Sequence, residues 1–105
     1  MNSRLDRVAS WPRLARKAGY EPKKLAALCR VSLRQLERYC RVALHSSPRG
    51  WLNDLRIERS KKLLKKPLMI KEIAYSLSYK QTSHFTREFK RRTGVPPTCF
   101  RHLRK

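Results

Sequence analysis

The sequence is poor in acid. Its 105 residues hold seven Asp and Glu against 27 Lys and Arg, a net charge of +20. So large a charge repels itself in a compact chain and favours a polyanionic partner. Nucleic acid, an anionic membrane or an acidic protein would each serve. Glycine is scarce too, with three in the chain, and none builds a phosphate-cradling loop. Without a nucleophile–base pair or paired carboxylates, nothing points to catalysis, and the expectation is a protein that is not an enzyme. The cysteines are Cys29, Cys40 and Cys99, an odd number with no Cys-x-x-Cys. They make no ligand-spaced cluster with His45, His84 or His102, so neither a metal nor another cofactor is expected. Each lies in an apolar helical pattern and is expected as a small buried hydrophobe. No apolar run approaches the roughly 18 residues of a membrane span. The opening Met1-Asn2-Ser3-Arg4-Leu5-Asp6 has no apolar signal segment. A soluble cytoplasmic protein without a membrane partner is therefore expected.

What is present is enough apolar residue, 40% of the chain, to build a core. A disordered basic tail is thereby excluded, and the length suits one domain or two very small ones. The apolar residues fall at helical spacing between strong punctuation, and no convincing strand is found. Ser10 caps a short helix with Pro12 in its first turn, Trp11, Leu14, Ala15 and Ala18 on one face, and Gly19 at its end. Pro22 starts a second, with Leu25, Leu28 and Cys29 on one side. Ser32 and Gln35 form an S-x-x-Q capping box that opens a third. Ser47-Pro48 starts a longer helix to about Lys65, with Trp51, Leu52, Leu55, Ile57, Leu63 and Leu64 as its apolar content and Pro67 as its stop. Ile70, Ile73, Ala74 and Leu77 mark a fifth. A turn around Ser78-Tyr79-Lys80-Gln81 leads to a sixth with Phe85 and Phe89, ending near Gly94. Pro96-Pro97 opens a last one with Phe100 and Leu103. Leu5, Val8 and Ala9 either add a helical turn or fray.

The chain repeats itself once. Leu25-Ala26, Val31, Leu36, Arg38 and Cys40 correspond to Ile73-Ala74, Tyr79, Phe85, Arg87 and Phe89. The offset is 48 positions before the turn and 49 after it, so the second copy has one more turn residue. Each copy is a helix bearing a small residue, a tight turn and a second helix, the requirement of a helix-turn-helix crossing. In the first copy Leu36 and Cys40 face inward while Arg34, Glu37, Arg38 and Arg41 form an i, i+3, i+4, i+7 polar stripe. The matching stripe in the second copy is Ser83, Thr86, Arg87 and Lys90. A solvated face usually mixes both signs, whereas these stripes hold one acid. A major groove suits them better: Arg grips guanine, and Ser or Thr meets either base edge or a thymine methyl. The helix between the copies, at about 18 residues, would be roughly 27 Å long. That is of the order of the about 34–36 Å between successive major grooves on one face of DNA. A single chain could then set two reading heads on one duplex.

These residues resemble the AraC/XylS family of bacterial transcription regulators, over roughly residues 11–104. The resemblance rests on Leu25-Ala26, Ser32, Leu36-x-Arg38 and Arg56-Ile57. It continues through Ile73-Ala74, His84-Phe85-Thr86-Arg87-Glu88-Phe89-Lys90 and Gly94-Val95-Pro96-Pro97-Thr98-Cys99-Phe100-Arg101. The chain departs from the family at Ser78 and His45, where glycine is usual, at Cys40, where Phe is usual, and at Ser60, where Ala is usual. The resemblance implies an all-α fold: two three-helix helix-turn-helix subdomains, at 10–47 and 67–105, on a linker helix at 48–66, together one DNA-binding domain over 1–105. It implies one recognition helix from each in adjacent major grooves. The base-facing candidates are Arg34, Glu37 and Arg38, then Thr82, Ser83, Thr86 and Arg87, with Arg41 and Lys90 completing the DNA-binding set. Ser32, Lys80 and Gln81 are expected at phosphates. Many members carry a separate ligand or dimerisation domain, for which this length leaves no room. The chain resembles the short single-domain members, or a DNA-binding domain cut from a larger protein.

Sequence-specific binding of double-stranded DNA by a bacterial, nucleoid-associated transcription regulator is thus expected, with activation as its sense. A monomer on DNA is expected, with RNA polymerase as a second partner and no small-molecule ligand. The alternative is an architectural basic protein that binds DNA or RNA without sequence preference. It explains the charge equally well but not two matched stripes at a fixed offset.

Overall fold

A computed structural model describes residue 5 and residues 10–103. Among these the regular structure is all helical: α1 Trp11–Lys17, α2 Pro22–Leu28, α3 Leu33–Leu44, α4 Pro48–Leu63, α5 Ile70–Ser76, α6 Thr82–Thr93 and α7 Pro97–Leu103. The chain divides into two compact units, the first ending at Arg56 and the second beginning at Ile57, inside α4. Val8 and Ala9, proposed for an extra N-terminal turn, lie outside the described residues, while Leu5 is buried.

In the first unit α1 packs on α2 and α2 on α3. Ser10 caps α1 by accepting from the Arg13 N–H at 3.4 Å, and Pro22 sits in the first turn of α2, where its missing N–H is harmless. Leu25, Ala26, Leu36, Cys40 and Leu52 make the core. The Trp11 ring sits edge-on to Trp51 at 4.8 Å and tilted on Tyr39 at 5.8 Å. Arg56 lays its guanidinium over the Tyr20 ring at 5.3 Å. Leu28, expected on the inner side of α2, is exposed: the apolar side of this short helix ends at Leu25 and Cys29.

In the second unit α5 packs on α6 and α6 on α7. Ile73, Ala74, Leu77, Tyr79, Phe85 and Phe89 are buried. Phe85, Phe89 and Phe100 stack edge to face in series, at 5.8 and 5.3 Å, a preferred arrangement of aromatic quadrupoles. Ser60 is buried, and its hydroxyl donates to the Ile57 carbonyl at 2.6 Å, which satisfies the donor that replaces the family's alanine. α4 stops at Leu63 rather than near Lys65. The carbonyls past its end are taken up by Arg101, which donates from Nε to Leu64 at 3.0 Å and from one terminal nitrogen to Leu68 at 2.7 Å and Lys66 at 3.5 Å. Cys99, expected buried, is exposed on α7. Pro97 and Phe100 supply that helix's inward contacts, and Thr98 and Cys99 between them face out. Leu103 is exposed as well.

Candidate nucleic-acid interface

The repeat reappears as backbone. At the end of α2 the Val31 N–H returns to the Ala26 carbonyl at 3.0 Å, and at the end of α5 the Tyr79 N–H returns to the Ala74 carbonyl at 3.0 Å. The residue before each, Arg30 and Ser78, is left-handed at φ 58° and 68°. A left-handed residue followed by a bond back five positions closes a helix sharply. The family's usual glycine at position 78 thus has a reason, which Ser78 meets under strain. Ala26 and Ala74 are both buried. Val31 leads straight to Ser32, whereas Lys80 stands between Tyr79 and Gln81 as the extra residue.

α3 opens on the expected capping box. Ser32 Oγ accepts from the Gln35 N–H at 3.1 Å, and the Gln35 side chain accepts from the Ser32 N–H at 2.8 Å. α6 begins after Gln81 with no side-chain cap, so the free N–H groups at its start have no such competitor. Ser32, Lys80 and Gln81 are all exposed.

Both second helices have one face inside and one outside. Leu36 and Cys40 of α3, and Phe85 and Phe89 of α6, are fully buried. Burial pushes the Cys40 thiol up to about 11, so it stays neutral and packs as a small hydrophobe. On the outer face of α3, Arg34, Glu37, Arg38 and Arg41 are all exposed. On α6, Ser83, Arg87 and Lys90 are exposed, and Thr82 and Thr86 half-buried. Thr82, Ser83, Thr86, Arg87, Lys90 and Arg91 line one shallow, open concavity. Thr86 donates its hydroxyl to the Thr82 carbonyl at 3.1 Å, so its hydrogen is spent within the helix and a methyl and a lone pair remain.

The charges on these faces are not neutralised. Among the described residues, Arg34, Arg38, Arg41, Arg87 and Lys90 form no ion pair. The acid on α6 is held away from its stripe. Glu88 accepts from Arg91 at 2.7 Å and Arg92 at 2.8 Å. Burial raises its pKa, but the hydrogen bonds and charges of the two guanidinium groups outweigh burial and hold the carboxyl below its ordinary value. Arg91, which reading by stripe missed, therefore lines the concavity as half of an ion pair. Its signal in the sequence was the i, i+3 spacing from Glu88. Each of the two helices presents unpaired cations and polar groups on its outer face, groups of the kind that can meet base edges and phosphates.

A family model described as a helix-turn-helix domain matches residues 25–102. The HTH-type transcriptional regulator GbdR of Pseudomonas aeruginosa is 39% identical over 75 residues, covering 70% of this chain and 20% of that protein. The HTH-type transcriptional regulator MtrA of Neisseria gonorrhoeae is 33% identical over 79 residues, covering 74% of this chain and 26% of that one. The chain therefore spans about a fifth to a quarter of the length of these curated relatives. Among solved structures, a Chromobacterium violaceum regulator described as containing an AraC-type DNA-binding domain matches with TM-score 0.77 at 24% identity, over 88% of this chain and 86% of that one. That likeness is one of fold. The C-terminal domain of AraT, a response regulator from Geobacillus stearothermophilus, matches with TM-score 0.74 at 27% identity, over 92% and 88%.

Proposed function

Since the chain belongs to the AraC-type family of helix-turn-helix transcription regulators, we propose that it reads the sequence of duplex DNA through the outer faces of α3 and α6. This is a family of DNA-binding regulators and not of enzymes. The observation that carries the reading is the pair of matched stripes, exposed and rich in unpaired cations, on the second helix of each tight turn. Arg34, Glu37, Arg38 and Arg41 meet one groove; Thr82, Ser83, Thr86, Arg87 and Lys90 meet another. Ser32, Lys80 and Gln81 meet phosphates from the helix starts. Two reading helices within one chain let a monomer do what a single helix-turn-helix unit does as a dimer. Acting as an activator, such a molecule works on the bacterial nucleoid beside RNA polymerase, without a catalytic step of its own.

Selection from a random duplex library is the test. An enriched bipartite motif that resists competition by random duplex is the expected result. Complete competition by random duplex would replace this reading with that of an architectural binder. An obligate two-to-one complex on a selected site would remove the monomer claim.

A further inference from the structure

The chain holds 27 cationic side chains and seven acids, so an acid without a partner is anomalous. Glu21 pairs with Lys24 at 2.8 Å, and Glu58 with Lys61 at 3.1 Å. Glu88 pairs with two arginines. Glu72 accepts from the Met69 N–H at 2.9 Å, and Asp54 is also engaged. Glu37 alone, among the described acids, makes no ion pair or hydrogen bond. Its position does not explain this. Arg34 lies three residues before it and Arg41 four after it, spacings at which helical ion pairs form. The same i, i+4 order, acid first, does pair in Glu88–Arg92. Glu37 instead stands exposed in the middle of the α3 stripe.

A free carboxylate on a face turned toward phosphates is repelled unless a donor meets it. Cytosine is the base whose major-groove edge offers an amino donor, N4, with no acceptor beside it. Adenine also offers an amino group, but its N7 acceptor adjoins it. A guanine at a neighbouring base pair presents two acceptors, which suit Arg34 or Arg38 on the same face.

We propose that Glu37 is a discriminating residue of the α3 face, accepting a hydrogen bond from cytosine N4 and by its charge turning away DNA that offers no such donor. The proposal rests on the DNA-reading function above. It makes Glu37 a repulsive device as much as a contact, the form in which specificity is commonly built. The face of α6 has no counterpart, since its acid is tied to Arg91 and Arg92. The half-site under α3 is therefore the one that carries an obligatory cytosine.

Parallel selections from one random duplex library with the unaltered chain, Glu37→Gln and Glu37→Ala test this. The unaltered chain is expected to enrich cytosine at one column by about tenfold. Glu37→Gln should move that column toward adenine, whose N6 and N7 suit an amide. Glu37→Ala should leave the column without preference and bind random duplex several-fold more tightly. Guanine columns should persist in both variants. A cytosine column that survives in both variants overturns the proposal and leaves the DNA-reading function standing. Loss spread over the guanine columns also overturns it, because Glu37 would then be positioning the arginines. A chain that enriches nothing overturns both.

Discussion

His45 and Gly94 close the two candidate reading helices with the same left-handed backbone, at φ 53° and 90°. One carries a side chain there and the other does not. A methyl group at Gly94 would touch nothing within 4 Å, so the cost of Gly94→Ala is conformational alone. About 1 kcal/mol of lost stability is expected. His45→Gly relieves the same strain but loosens the unfolded chain, and a gain of about 0.5 kcal/mol is expected. Denaturant midpoints at constant slope measure both. Equal and negligible shifts would mean that neither helix end is held in this conformation.

Arg101 should matter to stability far more than an ordinary basic residue of this surface. It satisfies the carbonyls of Leu64, Lys66 and Leu68 beyond the end of α4. A hydrogen bond from a charged donor is worth about 1.5–3 kcal/mol. Arg101→Ala is therefore expected to cost about 2 kcal/mol, with faster amide exchange in the turn at 64–68. Arg101→Lys should recover only part, since an ammonium lacks the guanidinium fork. An unchanged unfolding midpoint for Arg101→Ala would remove this role.

Much of the architecture is legible in the sequence. Ser32 and Gln35 announce the start of α3, Pro22 and Pro48 the starts of two more helices, and the 48-to-49 offset the extra residue Lys80. These signals are local, within a helical turn or two. Arg101 was not legible as a cap, because its partners lie 33 to 37 residues away. Cys99 and Leu28 were misjudged for a related reason. In a seven-residue helix the apolar spacing spans two turns, too few to define which edge of the stripe reaches the core. The outer faces of α3 and α6 are legible as stripes, with Glu37 inside them and Glu88 outside, but the sequence does not show which of the two acids is tied to arginines. Both are acids among arginines, and only the side-chain geometry distinguishes the one that is tied from the one that is free.

Arg87 and Lys80 should fail in different ways. Arg87 stands exposed in the middle of the α6 face, and Lys80 is exposed in the turn that precedes it. A good base contact is worth about 1–3 kcal/mol of discrimination. Arg87→Ala is expected to weaken a selected site by that amount and random duplex by much less. Lys80→Ala should weaken both alike and reduce the salt dependence by about one phosphate. Competition titrations on the two kinds of DNA separate these outcomes. Equal losses on both duplexes for Arg87→Ala would show that this side chain meets phosphate.

Salt tests the whole interface at once. Each phosphate neutralised releases counterion, and log K falls against log salt with a slope of about −0.9 per phosphate on duplex DNA. Not all 27 cations can contribute. Lys24, Lys61, Arg91 and Arg92 are paired with acids of the chain, and Arg101 is spent on carbonyls. Arg34, Arg38, Arg41, Arg87 and Lys90 carry no such partner among the described residues, and Lys80 stands exposed at a helix start. With other surface Lys and Arg of the chain, about six to ten phosphates is the expected footprint, and so a slope of roughly −5 to −9. A slope shallower than about −3 would assign most of the basic surface to another partner, such as an acidic protein. The comparison with random duplex carries the sharper result. For a sequence reader, base contacts persist while salt weakens the phosphate contacts, so the selected site stays the tighter of the two along the whole line. Two superimposed lines would mean that the stripes on α3 and α6 hold DNA without reading it.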